Sequence, residues 1–324
     1  MYRLGVLGCS SIAKKSMVQN FIDSKQFNVN YFASRDLSKA KAYSDIFGGT
    51  PIGNYESLIN KKDIDCIYIS LPTGLHYEYG KKSLEAGKHI FVEKSFCENY
   101  EQTAELVEIA ESKGLTVFEN FMFLENDQYA KVRELLADKD LGNVNLLRSS
   151  FCFPIFEPET NIRYKNNLGG GALLDAGAYV IKGADFILRE PLEVTSSLLI
   201  YSEKYKVDFH GYLTMKTIND IIVQSYFGFD DEYHNEIEIY LSNGYIKIER
   251  AYTSPPNFEH KIIIKTGNCE EEIVVNSTNP GVSHCERFAD MITNKLDQFQ
   301  YNKSLLSQSR IIDIIKNESN HING

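Results

Sequence analysis

Lys94 is the residue whose surroundings best suit moving a proton. It follows Glu93 at the end of the segment Gly87-Lys88-His89-Ile90-Phe91-Val92-Glu93-Lys94-Ser95. The apolar stretch inside that segment reads as a buried strand, and residues just past the carboxyl end of such a strand line the ligand crevice of an open α/β sheet. A lysine there can protonate a carbonyl oxygen as it becomes an alkoxide, provided that its pKa lies near the working pH. An exposed Glu-Lys pair is also what a solvated strand end looks like. Tyr179 is a second candidate donor, four residues after Asp175 and so on the same helical face. A phenol within reach of Lys94 makes a two-donor site for one carbonyl oxygen. The same spacing serves ordinary core and surface pairs, and Gly169-Gly170-Gly171 ahead of it also reads as a flexible helix entry.

Other stretches suit a dinucleotide. Gly8-Cys9-Ser10-Ser11-Ile12-Ala13 is a GxGxxG/A turn in which serine replaces the second glycine, the one that lets a pyrophosphate approach a helix N-terminus. Serine is small, and its hydroxyl can donate to the phosphate; an ordinary strand-helix turn is the plainer reading. An NAD site places an acidic residue about 20 positions further on, at the end of the second strand, to hold the ribose hydroxyls. Ser34 and Arg35 stand there instead. A hydroxyl beside a guanidinium fits a 2'-phosphate, with Lys39 one turn into the helix as reinforcement. Asp36 counts against this by offsetting part of the positive field, and a solvated arginine is the alternative. Leu71-Pro72-Thr73-Gly74-Leu75-His76 follows the third strand, and His76 either contacts the cofactor or packs beneath it at a helix start.

The elements that must position these residues alternate. Strands at 2–7, 27–34, 65–71, 88–93 and 115–119 are separated by helical periodicity at 11–24, 38–47, 75–87 and 99–113. That rhythm implies a doubly wound parallel sheet with helices on both faces. Beyond about residue 140 the pattern changes to β-branched and aromatic runs at 193–202, 207–217, 220–229, 234–241, 245–250, 259–265 and 272–276. Helical stretches at 172–189, 283–295 and 303–317 complete the chain. The expectation is an α/β dinucleotide-binding domain over 1–120, then an α+β domain over 121–324 with one open, mostly antiparallel sheet for substrate binding and oligomerisation. Ile221, Val223, Ser225, Phe227 and Ile237, Ile239, Leu241 are expected to make the open face of that sheet half apolar, which suits a homo-oligomer interface.

Composition narrows the partners. The 324 residues carry 44 acidic against 34 basic side chains, a formal charge of -10 that repels phosphate backbones and anionic lipid, so neither nucleic acid nor a membrane surface is expected as a partner. No apolar run approaches membrane-spanning length, and the opening MYRLGVLGCSSIA reaches glycine and serine too soon for a signal-peptide core, so a cytoplasmic location is expected. The six cysteines form no CxxC or CxxH pair, and the seven histidines form no HxxxH, so no metal site is signalled.

Taken in order, GCSSIA, SR, LPTGLH, GKHIFVEKS, FENFMF, NIRY and GGGALLDAGAY resemble the Gfo/Idh/MocA family of NAD(P)-dependent oxidoreductases, and the β-rich remainder and the SQSRIIDIIK helix are similar to it as well. Within that family the wording is most similar to nucleotide-sugar 3-ketoreductases. The resemblance implies a Rossmann-type first domain, NADP(H) as cofactor, and reduction of a nucleotide-linked 3-keto-deoxyhexose. It implies Lys94 as the catalytic proton donor, Tyr179 beside the reacting oxygen and Asp175 at the substrate pocket. Leu71, Pro72, His76, Glu93 and Arg163 are implied as cofactor contacts, joining Gly8, Cys9, Ser10, Ser11, Ile12, Ser34, Arg35 and Lys39. The chain departs from the family pattern where Ser95 replaces the proline of EKP and where Phe123-Leu124-Glu125-Asn126-Asp127 replaces an arginine- and histidine-bearing loop. A dehydrogenase of a free sugar or trans-dihydrodiol is the alternative on the same fold. A non-catalytic NADP-binding sensor is the alternative from another class, and a sensor needs neither Lys94 nor Tyr179.

Overall fold

The computed structural model describes the chain except residues 158, 159, 256, 257, 277, 296 and 324 and the side chain of Asn323. Its contacts divide into two compact units, Met1–Met122 with Gly281–Ser309, and Phe123–Pro280 with Arg310–Gly324.

The first unit is built on β1 (Tyr2–Leu7), β2 (Phe27–Ala33), β3 (Thr50–Ile52), β4 (Cys66–Ile69), β5 (His89–Val92) and β6 (Val117–Glu119). All pair in parallel, in the order β3-β2-β1-β4-β5-β6. The order reverses between β1 and β4, which is where doubly wound sheets open a ligand crevice at their carboxyl edge. Between the strands run α1 (Val18–Asp23, entered through a π-helical turn at Ala13–Met17), α2 (Leu37–Phe47), α3 (Tyr55–Ile59), α4 (His76–Glu85) and α5 (Tyr100–Lys113). Because helices cover both faces, strand residues are buried without alternation: all four residues of β4 are buried. Leu4, Val6, Phe32, Tyr68, Phe91 and Phe118 fill one face, and Leu7, Ile67, Ile69, Ile90 and Val92 the other. The three-residue β3 and five-residue α3 lay below the length at which periodicity can be read.

The second unit holds α6 (Asp127–Leu136), β7 (Val144–Phe153), α7 (Ala178–Leu188, entered through a π-helical turn at Leu173–Gly177), β8 (Leu192–Tyr201), β9 (Asp208–Thr217), β10 (Ile222–Phe229), β11 (His234–Leu241), β12 (Tyr245–Glu249), β13 (His260–Thr266), β14 (Cys269–Val275) and β15 (Asn320–Asn323). The nine strands form one sheet in the order β14-β13-β12-β11-β7-β10-β9-β8-β15. Pairing is antiparallel except at β7·β10 and β8·β15. The central β7 was not among the runs picked out in the sequence. It alternates through Leu147, Ser149 and Phe151 but ends as the continuous buried run Phe151-Cys152-Phe153, so neither strand signature is clean.

The expected open face is corrected by the structure. Val223, Ser225, Phe227, Ile237, Ile239 and Leu241 are buried, on the face to which α7 packs through β7 and β10. A strand shows its apolar set to whatever covers it, and here α7 is the cover. The other set, with Arg148, Tyr212, Gln224, Tyr226, Glu236 and Glu238, lines a concavity of about 510 Å³. It is polar and aromatic rather than aliphatic.

α8 (Pro280–Asn294) and most of α9 (Gln298–Glu318) count with the first unit. Cys285, Phe288, Ala289, Met291 and Ile292 join its core, where Phe288 stacks on Phe27 with ring centroids 5.7 Å apart. A division at residue 120 omits this return, because an apolar helix face does not state which core it will enter. Among the described residues no helix is long and apolar enough to cross a membrane.

Candidate active site

In the first unit, Gly8 turns the chain out of β1 with φ of +103°, a conformation that L side chains rarely adopt, and a Cβ there would overlap the Ser70 carbonyl. Its N–H donates to the Ala33 carbonyl at 3.0 Å. Ser10 is hydrogen-bonded to Ser70 side chain to side chain, accepts the Ala13 N–H at 3.3 Å, and through its carbonyl accepts the Tyr43 hydroxyl. Its hydroxyl therefore ties the β1 turn to the end of β4 at the switch point. Ser11 is exposed, while Cys9 and Ile12 are half-buried.

At the end of β2, Ser34 is buried and accepts the Asp36 N–H at 3.2 Å, while Arg35 and Lys39 are exposed. Asp36 caps α2, accepting the Ser38 N–H at 2.9 Å and the Ser38 hydroxyl at 2.6 Å. The carboxylate that counted against a phosphate site is thus committed to the helix start, and the Ser38 hydrogen bonds hold its pKa below the usual range. Burial pushes the Cys9 thiol up to about 11, opposed by the charge of Lys39.

Glu93 and Lys94 leave β5 half-buried at the carboxyl edge. One Glu93 oxygen accepts the Tyr68 hydroxyl at 2.5 Å and the Asn120 amide at 2.8 Å, and burial raises the pKa of the carboxyl. The Lys94–Ser95 peptide is cis. The loop after it is tied twice: the Ser95 carbonyl lies 2.8 Å from His76 Nδ1, and the Phe96 N–H donates to Glu119 at 2.8 Å. His76 Nε2 lies 2.8 Å from the Leu71 carbonyl. With 0% exposure and a carbonyl beside each ring nitrogen, His76 is packed between the Leu71-Pro72 and Lys94-Ser95 segments, and its neutral ring donates to one of the two carbonyls. Burial lowers its pKa. Tyr68, Glu119 and Asn120 were not singled out as site residues in the sequence: Tyr68 lies inside the apolar run of β4, and Glu119 and Asn120 entered only as part of the FENFMF motif.

In the second unit, Arg163 stands on a 3-10 turn at Ile162–Tyr164 and donates from Nε to Asp175 at 2.5 Å. The nearby carboxylate raises the pKa of the guanidinium. From Gly171 to Ala184, Asp175 and Tyr179 are the residues that are not buried, which confirms their shared face. The Tyr179 ring packs on Phe151 at 5.0 Å, Phe123 at 5.6 Å and Tyr252 at 5.9 Å. The structure thus gathers Gly8, Ser10, Leu71, His76, Glu93 and Lys94 along one sheet edge of the first unit, and Arg163, Asp175 and Tyr179 in the second. Arg163, expected as a cofactor contact, is the ion-pair partner of Asp175. Among the described residues no three of His, Cys, Asp and Glu gather as metal ligands.

A parallel sheet of this order, with a glycine turn after the first strand, cations after the second and a lysine past the fifth, has the architecture of a dinucleotide-dependent enzyme. Residues 2–121 match the oxidoreductase family with an NAD-binding Rossmann fold, and residues 129–247 match the GFO/IDH/MocA C-terminal domain. A dTDP-3,4-didehydro-2,6-dideoxy-alpha-D-glucose 3-reductase from Actinomadura kijaniata is 30% identical over 314 residues, covering 97% of this chain and 94% of that one. A reductase of the same name from Saccharopolyspora spinosa is 34% identical over 271 residues, covering 84% and 81%. The crystal structure of a 3-ketoreductase from Actinomadura kijaniata in complex with NADP and TDP-benzene is similar with a TM-score of 0.96 at 29% identity, covering 100% of this chain and 99% of that one. The chain belongs to the Gfo/Idh/MocA family of oxidoreductases.

Proposed function

We propose that this oxidoreductase uses NADPH to reduce the keto group of a nucleotide-linked 3-keto-deoxyhexose. The observation that carries the reading is the near full-length likeness to a reductase of that substrate class, over 97% of this chain and 94% of the relative. The residues present fit the cofactor. Gly8 makes the tight turn out of β1 in a conformation closed to other residues, with Ser10 and Ser11 after it, and Arg35 and Lys39 follow β2 where NAD sites carry an acid, with Asp36 turned to its own helix. Gly8 to Ile12 would hold the pyrophosphate, Ser34, Arg35 and Lys39 the 2'-phosphate side, and Leu71, Pro72 and Glu93 the nicotinamide end.

When bound, NADPH supplies a hydride to the ketone carbon. Lys94 gives a proton to the ketone oxygen, so that the carbonyl becomes an alcohol and the ammonium a neutral amine, which water reprotonates. The packing of His76 and the hydrogen bond to Glu119 restrain the loop that follows the lysine. Tyr179 donates a hydrogen bond to the same oxygen as charge develops and keeps its own proton. Asp175, fixed by Arg163, accepts from the substrate. The six cysteines are free, with Cys66, Cys97, Cys152 and Cys285 buried, which fits a reducing compartment and a cytoplasmic location. A second copy of the chain is the proposed occupant of the open sheet face, where Tyr212 is 47% exposed.

The test is NADPH oxidation with a dTDP-linked 3-keto-deoxyhexose, alongside the reverse assay, NADP reduction with free sugars and trans-dihydrodiols. Turnover on the nucleotide-linked ketone alone is expected. Turnover confined to a free sugar or dihydrodiol overturns the substrate, and binding of NADPH with no turnover on any of them favours a sensor.

A further inference from the structure

Asp208 opens β9 with its carboxylate inside the second unit, the residue being 9% exposed, and it belongs to none of the sequence motifs. Its Oδ2 accepts the Leu173 N–H at 2.5 Å, and the neighbouring Ala172 N–H also favours the ionised carboxylate. These donors lie at the entry of the helix that carries Asp175 and Tyr179, where backbone N–H groups have no helical acceptor. Asp208 Oδ1 fills the space that a Gly171 Cβ would take, and Gly171 holds φ of +121°. The other side of the turn rests on the Arg163 segment: the Gly171 N–H donates to the Arg163 carbonyl at 2.9 Å, and the Gly170 N–H to the Lys165 carbonyl at 3.1 Å. Asp208, the glycine turn and the Arg163 turn are therefore one packed assembly, from which Arg163, Asp175 and Tyr179 emerge.

We propose that Asp208 is a positioning residue of the reductase site, which caps the turn at Ala172 and Leu173 and so fixes the helix that presents Asp175 and Tyr179. The catalytic part of this rests on the reaction proposed above. Stability alone is a poor reason for the residue. Burial outweighs the opposing backbone N–H groups of Leu173, Asp208 itself and Ala172 and the charge of Lys316, and pushes its pKa from 3.8 up to about 6. An acid whose folded pKa is raised loses its proton first in the unfolded chain, so as the pH rises from about 4 to about 6 its ionisation progressively disfavours the folded state. The ionised form that destabilises the fold is nevertheless the one that the N–H groups of Leu173 and Ala172 favour. The charged and titratable groups that face it are Lys316 from α9, which favours the anion, and Tyr201 from β8.

Asp208→Ala and Asp208→Asn are to be compared with the full wild-type chain in the presence of NADPH. In Asp208→Ala, kcat on the nucleotide-linked ketone is expected to fall by about 100-fold, the size of effect a small misplacement of a catalytic group produces. NADPH affinity should stay within about twofold, since the contact is with the substrate oxygen. Asp208→Asn keeps one acceptor and removes the charge, so kcat should be partly rescued and lack the acid limb near pH 6 that is expected of the wild type, while its melting temperature at pH 7 should be no lower. Hydrogen exchange of the amides at 172–179 should quicken in both variants whatever the substrate is. Unchanged kcat in a wild type that turns over, a loss that merely follows melting temperature, or unchanged exchange at 172–179 overturns the proposal. If the wild type does not reduce the ketone, the substrate reading fails by itself and the exchange result alone decides the role of Asp208.

Discussion

An ammonium carries a full positive charge that a phenol lacks, so in the proposed reaction Lys94 and Tyr179 are expected to stabilise a developing alkoxide to different extents. Lys94→Met removes the proton and the charge together, and kcat is expected to fall about 100-fold to 10,000-fold, the usual range for general acid catalysis. Titration with NADPH should give an affinity within a few-fold of wild type, with circular dichroism unchanged. A folded variant that keeps more than about a tenth of wild-type kcat shows that Lys94 is not the acid. Tyr179→Phe keeps the ring contacts with Phe151, Phe123 and Tyr252 and deletes only the hydroxyl. Removal of one preorganised donor costs about 2.7 to 4 kcal/mol at most. Its kcat should therefore fall less than that of Lys94→Met, with little change in melting temperature. A fully active Tyr179→Phe makes the hydroxyl idle, and a variant more impaired than Lys94→Met reverses the two roles.

At the scale of elements, the β2–α2 turn is the proposed selector between the two cofactors. Asp36 is held by the first turn of α2 through Ser38, and Ser34 by the Asp36 N–H, which leaves Arg35 and Lys39 as the exposed cations of that turn. A charge-assisted pair with a 2'-phosphate should favour NADPH over NADH by about 1.5 to 3 kcal/mol, or roughly tenfold to over a hundredfold. Arg35→Ala should erase most of that preference by weakening NADPH binding and leaving NADH binding unchanged. Equal wild-type Kd values for the two cofactors, or unchanged NADPH binding in Arg35→Ala, would remove Arg35 from the site.

For the whole molecule, the open face of the nine-stranded sheet carries the argument for self-association. It is rich in tyrosine, with Tyr212 stacked on Tyr226 at 4.8 Å, and it combines Arg148 with Glu236 and Glu238. Aromatic residues and arginine are enriched in the cores of protein interfaces, and a self-complementary patch needs both signs of charge. Sedimentation of the wild type should show more than one chain per particle, and Tyr212→Glu should lower that mass while leaving the far-ultraviolet circular dichroism unchanged. A wild type that sediments as a single chain at micromolar concentration would sink the pairing.

What the sequence determined by itself is what local chemistry and periodicity encode. The apolar run before Gly8, the runs ending at Ser34 and Lys94, and the helical spacing between them required a parallel sheet with its carboxyl edge at the residues of interest. The four-residue step from Asp175 to Tyr179 placed both on one helix face. Only the tertiary structure decided matters that depend on contacts distant in the chain. It turned Val223, Phe227, Ile237 and Ile239 inward, because alternation states that two faces differ and leaves open which one a helix will cover. It brought α8 back to the first core through Phe288, packed His76 between two carbonyls, and set Asp208, 37 residues beyond Gly171, against that turn. A carboxylate and a glycine that far apart share no periodicity, and it is their packing in space that gives the glycine its purpose.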